Sequence, residues 1–339
     1  MTAPVRVPPS LLALRYRAGA GKGGHVESWF LKANEPDGRR ALWVRCTIFA
    51  RPPLAPVAEA WAIAFDRHRG HVAVKSTVAL EAARFAKDAF DVEVDGCALS
   101  LDRARGALSS GRGALAWDLA IGPALAAPIV HFASSAMYRD GLPPSSKLVT
   151  PVSDARTTGE LRVDRGGGDV DTWEIGDWPA MVGHNWGKGN AELYAWTHCN
   201  AWDVPGIAFE AMSARVRIGP VLSPMATSAF LRWRGKSWDL SSIRALTKNR
   251  GSISLRRWEM TGEGGGLRVV CDVAAENDDI VGLHYPNPVG PITNCLNTKL
   301  ARARLELCFA DGESVTATSR AAALEIGTIQ SDHGIRMYL

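Results

Sequence analysis

Apolar and polar residues alternate with a period of two along most of this chain, and helical periodicity is scarce. In Glu27-Ser28-Trp29-Phe30-Leu31-Lys32 and Ala41-Leu42-Trp43-Val44-Arg45-Cys46-Thr47-Ile48-Phe49, aromatic and β-branched residues have strand composition, and successive side chains point to opposite faces. The link between them, Asn34-Glu35-Pro36-Asp37-Gly38, reads as a turn, because Pro fixes φ and Asp-Gly supplies a tight bend. Further strands are predicted over residues 59–66, 72–80, 90–101 and 113–119, each bounded by Gly, Asp or Arg-Gly punctuation. Residues 80–89 read as a short helix, and 295–304 are ambiguous between helix and strand. With no βαβ rhythm, strands at such intervals favour a sandwich or barrel over a parallel α/β fold.

The 339 residues suffice for two domains. The stretch 139–171, with Asp140-Gly141-Leu142-Pro143-Pro144 and Gly166-Gly167-Gly168, has linker chemistry, which places the expected domains at 1–155 and 156–339. An aromatic strand around Trp29 and another around Trp196 each run into a Pro/Asp/Gly turn, a faint internal echo of two related halves. Hydrophobic residues make up 46% and charged residues 22%, so a sizeable core is expected. The net charge of +4 is spread over short arginine groups with acids between them, which argues against a nucleic-acid partner. The cysteines at 46, 97, 199, 271, 295 and 308 form no C-x-x-C pair and sit mostly in apolar runs, the pattern of buried free thiols. Residues 1–10 lack a signal-peptide pattern, and no stretch approaches about 18 uninterrupted apolar residues. A cytoplasmic location without a transmembrane segment is expected, with peripheral membrane contact left open.

The 12 Trp against 5 Tyr and 9 Phe suggest large aromatic surfaces lining something. In Tyr194-Ala195-Trp196-Thr197-His198-Cys199-Asn200-Ala201-Trp202, strand parity puts Tyr194, Trp196, His198, Asn200 and Trp202 on one face, and small apolar residues on the other. Aromatic walls with a few polar tips are what a small-molecule pocket presents, although the same ladder also serves as an aromatic core. His184 and Trp186 share a face just upstream. The expected ligand contacts are therefore Trp29, Trp186, Tyr194, Trp196, Asn200 and Trp202. His198, His184 and Glu27 are the expected catalytic groups, His198 foremost. Asp203 and Glu192 fall off the aromatic face unless a bulge re-aims them.

The string Asn185-Trp186-Gly187-Lys188, followed by Tyr194-x-Trp196-x-x-Cys199-Asn200, resembles the corresponding segment of the tocopherol cyclase family, a relative of the carotenoid 1,2-hydratase and AttH-type lipocalin-like proteins. Cys295-Leu296-Asn297-Thr298-Lys299-Leu300-Ala301 and Glu27-Ser28-Trp29-Phe30 are similar to segments of the same superfamily. The resemblance implies a mostly β protein of two lipocalin-like β-barrel or sandwich domains in tandem. It also implies cofactor-free cyclase or hydratase chemistry on a hydrophobic isoprenoid- or polyketide-like substrate. Protonating an alkene needs a positioned acid in a dry cavity, and aromatic faces stabilise a developing carbocation.

Other motifs carry less. Gly19-Ala20-Gly21-Lys22-Gly23-Gly24 lacks the Ser or Thr that a phosphate loop needs after Lys. No zinc spacing or G-x-S-x-G elbow occurs, so neither a metal nor a serine-esterase reading is supported. Asn277-Asp278-Asp279 reads as an acidic turn, and His284-Tyr285-Pro286-Asn287-Pro288 as a rigid loop. Two alternatives to an enzyme stay open: a non-catalytic carrier of an apolar small molecule, and a structural protein whose Trp residues are all core.

Overall fold

The computed structural model describes residues 7–18, 23–132, 134–139, 142, 144–215, 217–218 and 221–339. The glycine-rich loop at 19–22 and part of the expected linker (140, 141 and 143) lie outside them. The described chain is mostly β and forms two large antiparallel sheets, each curled into a half-barrel, the arrangement of two tandem lipocalin-like domains. No helix of the described residues is long and apolar enough to cross a membrane.

The halves repeat one topology. In the first sheet, the opening strand His25–Asn34 lies between Arg40–Ala50 and the long strand Val170–Gly187, which pairs in turn with Ser146–Asp164. In the second, Leu193–Cys199 lies between Ala208–Arg215 and Ser314–Thr328, which pairs with Thr293–Phe309. The echo between the Trp29 and Trp196 strands is thus an echo of position, since each opens its half and is clamped by that half's last strand.

Several local expectations are corrected. Residues 80–89 form a 3-10 turn, Leu80–Ala82, and a two-residue strand, Arg84–Phe85, instead of a helix. The run 90–101 is split at Asp95-Gly96, both with positive φ (48° and 75°), which folds it into a tight hairpin. The ambiguous 295–304 segment is strand throughout. The expected boundary at 155/156 falls within Ser146–Asp164, a strand of the first sheet, and the chain passes to the second sheet at 188–192. The Gly166-Gly167-Gly168 stretch that suggested a linker is the turn of a long hairpin, its three glycines at φ of 82°, 63° and 85°. All six cysteines are unpaired and five are buried.

Each half has its own core: one around Trp29, Trp117 and Trp173, the other around Phe209, Trp258 and Leu305. A third cluster spans the two, with Trp43, Trp61, Ile63 and Phe65 packed against Val281, Leu283, Tyr285 and Leu300. Phe30 and Met181 meet Trp196 and Ala323 in a fourth. Large side chains buried on both sides of this seam contribute roughly 1.5–3 kcal/mol each, so the halves are joined by core-like packing. The acidic turn Asn277–Asp279 is spent here: Asp279 pairs with Arg67 of the first half at 2.8 Å.

The β-turn after the opening strand docks on the second half through a glycine. Gly38 has φ of 73°, and a Cβ there would run into the Arg320 carbonyl, whereas at Gly70, with φ of 81°, a Cβ would meet nothing. Left-handed strain alone costs ~1–2 kcal/mol at either position. We expect Gly70→Ala to cost about 1 kcal/mol in urea unfolding and Gly38→Ala about 3 kcal/mol, the excess measuring the inter-half contact. Equal losses would show that the backbone of the strand at Arg320 yields freely.

Candidate functional site

The seam is built by strand parity. On the opening strand Ser28, Phe30, Lys32 and Asn34 face away from the Trp29 core, and their antiparallel partners Thr47, Arg45, Trp43 and Ala41 share that face. From the second sheet Trp196 and His198 face them, flanked in register by Glu325 and Ala323 on one side and Met212 and Glu210 on the other. Ala195 and Cys199 point the opposite way, into the second core.

His198 is fully buried. Its Nε2–H donates to the Ser153 carbonyl at 2.8 Å, which leaves Nδ1 as the lone-pair nitrogen, buried and with no partner. Burial brings its imidazole from the ordinary 6.5 down to about 3, so it is neutral at working pH. The Trp196 ring lies nearly parallel to it, centroids 6.4 Å apart, and donates its Nε1–H to Glu210 at 2.8 Å. Thr150 donates to the other Glu210 oxygen at 2.8 Å, and His131 lies 3.1 Å from the first. Although burial opposes ionisation, the two histidines and these donors hold the Glu210 carboxyl down at about 2. Asn200 donates to Asp154 at 2.8 Å and to the Ala180 carbonyl at 3.0 Å. Burial raises the Asp154 carboxyl above its ordinary range even though Arg156 sits 3.0 Å away. Lys299 is fully buried, bonded to Asn297 at 2.7 Å and Glu325 at 2.7 Å, with its ammonium 5.5 Å from the Trp43 ring and 5.4 Å from that of Trp196. Tyr194 stands at the seam's edge with its ring over Gly327, where a Cβ would collide with it.

The structure separates the residues that the sequence grouped. Glu27, Trp29, His184 and Trp186 form a second cluster inside the first half. Glu27 accepts His184 Nε2–H at 3.0 Å, His25 Nε2–H at 3.0 Å and the backbone N–H of Tyr16 at 2.7 Å. Burial works against its charge, yet these donors hold it at about 2, so it is a carboxylate and not the acid expected of it. His184 stacks on Trp29 (centroids 4.9 Å), and its Nδ1–H donates to the Leu11 carbonyl at 3.0 Å. Both ring nitrogens thus face oxygen acceptors. Trp202 joins neither cluster. The strand ends at Cys199, parity lapses beyond it, and the Trp202 indole turns back to donate to the Cys199 carbonyl at 3.0 Å. Asp203 is spent on the Thr318 hydroxyl and amide at 2.6 and 2.7 Å.

Lys32, Asp154, Glu210 and Lys299 complete the seam but do not stand out in the sequence. Their strands are flanked by apolar residues on the far face, so a polar residue every second position reads as a solvated surface. The available signals are Glu210 within Ala208-Phe209-Glu210-Ala211-Met212, a lone charge in an apolar run, and Lys299 within the segment 295–301 that resembles the superfamily.

The model of the family described as tocopherol cyclase-like matches residues 55–328. The chain belongs to this family. Two relatives in Mycobacterium tuberculosis, the uncharacterized proteins MT0513 (strain CDC 1551) and Rv0493c (strain H37Rv), are each 30% identical over 291 residues, 85% of this chain and 82% of theirs. Among solved structures, CghA superposes with a TM-score of 0.62 at 12% identity over 97% of this chain and 94% of its own. CghA solved with Sch210972 gives 0.60 at 12% identity over 96% of both chains. A candidate AttH from Nitrosomonas europaea gives 0.57 at 16% identity over 97% of this chain and all of its own. At such identities the likeness is one of fold, and it agrees with the tandem half-barrels of this tocopherol cyclase-like chain.

The buried neutral imidazole of His198 gives this tocopherol cyclase-like protein a pH signature. Its unfolded chain takes up the proton near pH 6.5 and the folded chain only near 3. The associated stability is therefore present above about pH 6.5 and is lost as the pH falls, at ~1.4 kcal/mol per unit. Glu27, moved from 4.5 to about 2, adds its own loss only below about pH 4.5. Between pH 6.5 and 5, the urea-derived stability of wild type should fall by about 2 kcal/mol more than that of His198→Gln. Parallel slopes would show that His198 takes up its proton within the folded state.

Proposed function

We propose that the protein is a cofactor-independent cyclase for a hydrophobic isoprenoid- or polyketide-like substrate, acting in the seam between its two sheets. The observation that carries this reading is His198: a neutral imidazole in an aromatic wall, its tautomer set by the Ser153 carbonyl and its Nδ1 lone pair unspent. Weakly basic as it is, this lone pair can take the proton of a substrate hydroxyl once that oxygen adds to the cation and becomes strongly acidic. Asp154, with its carboxyl raised by burial and oriented by Asn200, supplies the matching acid. It protonates the alkene carbon while His198 Nδ1 takes the hydroxyl proton. The ring closes with a new C–O bond, and the proton passes from the imidazolium back to the Asp154 carboxylate, so that substrate and product are isomers. Trp196 and Trp43 present ring faces to the positive charge that develops on carbon. Water in place of the internal hydroxyl would make the same groups a hydratase. Family membership supports the cyclase reading, and so does the environment of the groups, since Asp154, His198, Trp43 and Trp196 are all buried away from water.

The test is turnover in heavy water, with prenylated hydroquinones and linear polyene enols as the substrate panel. Acid-initiated closure places one deuterium on the protonated carbon. We expect His198→Gln to lower the rate by about 100-fold or more while its melting temperature stays within a few degrees of wild type. Ligands recovered chemically unchanged, with wild type and variant binding them alike, would establish a carrier instead.

A further inference from the structure

The seam holds one ammonium that the fold does not neutralise. Lys299 has the Glu325 carboxylate at 2.7 Å. Lys32, also fully buried, has no carboxylate partner among the described residues, and its Nζ donates to Asn34 Oδ1 at 2.8 Å and Asn200 Oδ1 at 3.3 Å. Both amides are fixed by other bonds, Asn34 Nδ2 to the Lys299 carbonyl at 2.5 Å and Asn200 Nδ2 to Asp154 and Ala180, so their oxygens are aimed at the ammonium. An ammonium has three donors and these oxygens take two. Neutral amides orient a buried cation without cancelling its charge, and such a charge is costly until an anion joins it. The two carboxyls nearby do not bond it: both are held by other groups and act on it only from a distance. Asp154 is engaged by Arg156, Glu210 by His131, Trp196 and Thr150, and Lys299 repels. Burial and that repulsion bring the Lys32 amine from 10.5 down to about 8. A second cation, Arg45, lies on the same face over the Tyr285 ring at 4.5 Å, bonded to the neutral Ser28 hydroxyl at 2.6 Å, with its Nε buried and unpartnered.

We propose that the ligand of this seam is an amphiphile with an acidic oxygen head group (enol, phenol or carboxylic acid) distinct from the hydroxyl that closes the ring, bound as its anion by the third donor of Lys32 while Phe30, Trp43 and Trp196 hold the hydrocarbon. This inference rests on the reading of the seam as the ligand site and narrows its substrate class, excluding neutral hydrocarbons as the preferred cargo.

The test uses the full chain and two isosteric probes, farnesoic acid and methyl farnesoate, titrated by Trp fluorescence and by calorimetry at pH 8.5. The acid should bind at least 10-fold tighter than the ester. Lys32→Met should remove that preference while leaving ester affinity within about 2-fold, and Lys32→Arg should retain part of it. Wild type supplies a readout that does not depend on any variant folding. Because the anion favours the charged amine, acid binding measured in two buffers of different ionisation enthalpy should show uptake of up to about three quarters of a proton per site, and ester binding none. Equal affinities, a preference that survives Lys32→Met, absence of proton uptake, or failure of both probes to bind would each overturn the proposal. Turnover lost in His198→Gln but indifferent to the head group would leave the cyclase reading standing and sink this one alone. A head-group preference without turnover would do the reverse.

Discussion

The opening strand His25–Asn34 is buried on both faces, and the rest of the molecule is arranged around that condition. A strand in the middle of an antiparallel sheet ordinarily gives one face to a core and the other to water. Here Trp29, Leu31 and Ala33 enter the first core, while Ser28, Phe30, Lys32 and Asn34 meet the second half. Every polar group on the second face must then find its partners in protein, because none is left in solvent. Lys32 is therefore flanked by two asparagines, and Asn34 reaches across to the Lys299 carbonyl.

Two buried polar clusters result. The Glu27 carboxylate takes bonds from two histidines and two backbone amides, so it serves to pin the segment around Leu11 to Tyr16 against the barrel. In the seam several polar atoms are unspent: His198 Nδ1, His131 Nδ1 and Asn297 Nδ2 are buried without partners. The first cluster also has unspent atoms, Trp29 Nε1 and Trp186 Nε1, but both are donors. The seam adds the lone pair of His198 Nδ1, an acceptor on an aromatic surface that a ligand hydroxyl can complete.

Strand composition, the turn at Gly38 and the parity of Tyr194, Trp196 and His198 were all legible in the sequence, because each is a local property of period two. The sheet to which a strand belongs is not local. Glycines 166–168 look the same in a hairpin turn as in a linker, and only the pairing of Ser146–Asp164 with Val170–Gly187 tells them apart. Parity also cannot say which of two enclosed spaces a face looks into. Trp29 and Trp196 occupy equivalent strands, yet one points into its own half and the other into the seam. The charges of the seam were hidden for a related reason, since alternation with a polar residue is the same pattern whether the polar face meets water or another sheet.

The clamping of each first strand by its half's last strand has a consequence in time. Glu27 and His184 are 157 positions apart, and at a usual synthesis rate of ~5–20 residues per second the opening strand waits on the order of 10–30 s for its second neighbour. Through that interval one of its edges and its Lys32 face lack their final partners, which are strands still inside the ribosome. Those edges are the kind that pair with other chains. The buried charges and the high contact order thus make production of this protein a matter of keeping a half-built sheet apart from its copies until residue 187, and then the second half, have emerged.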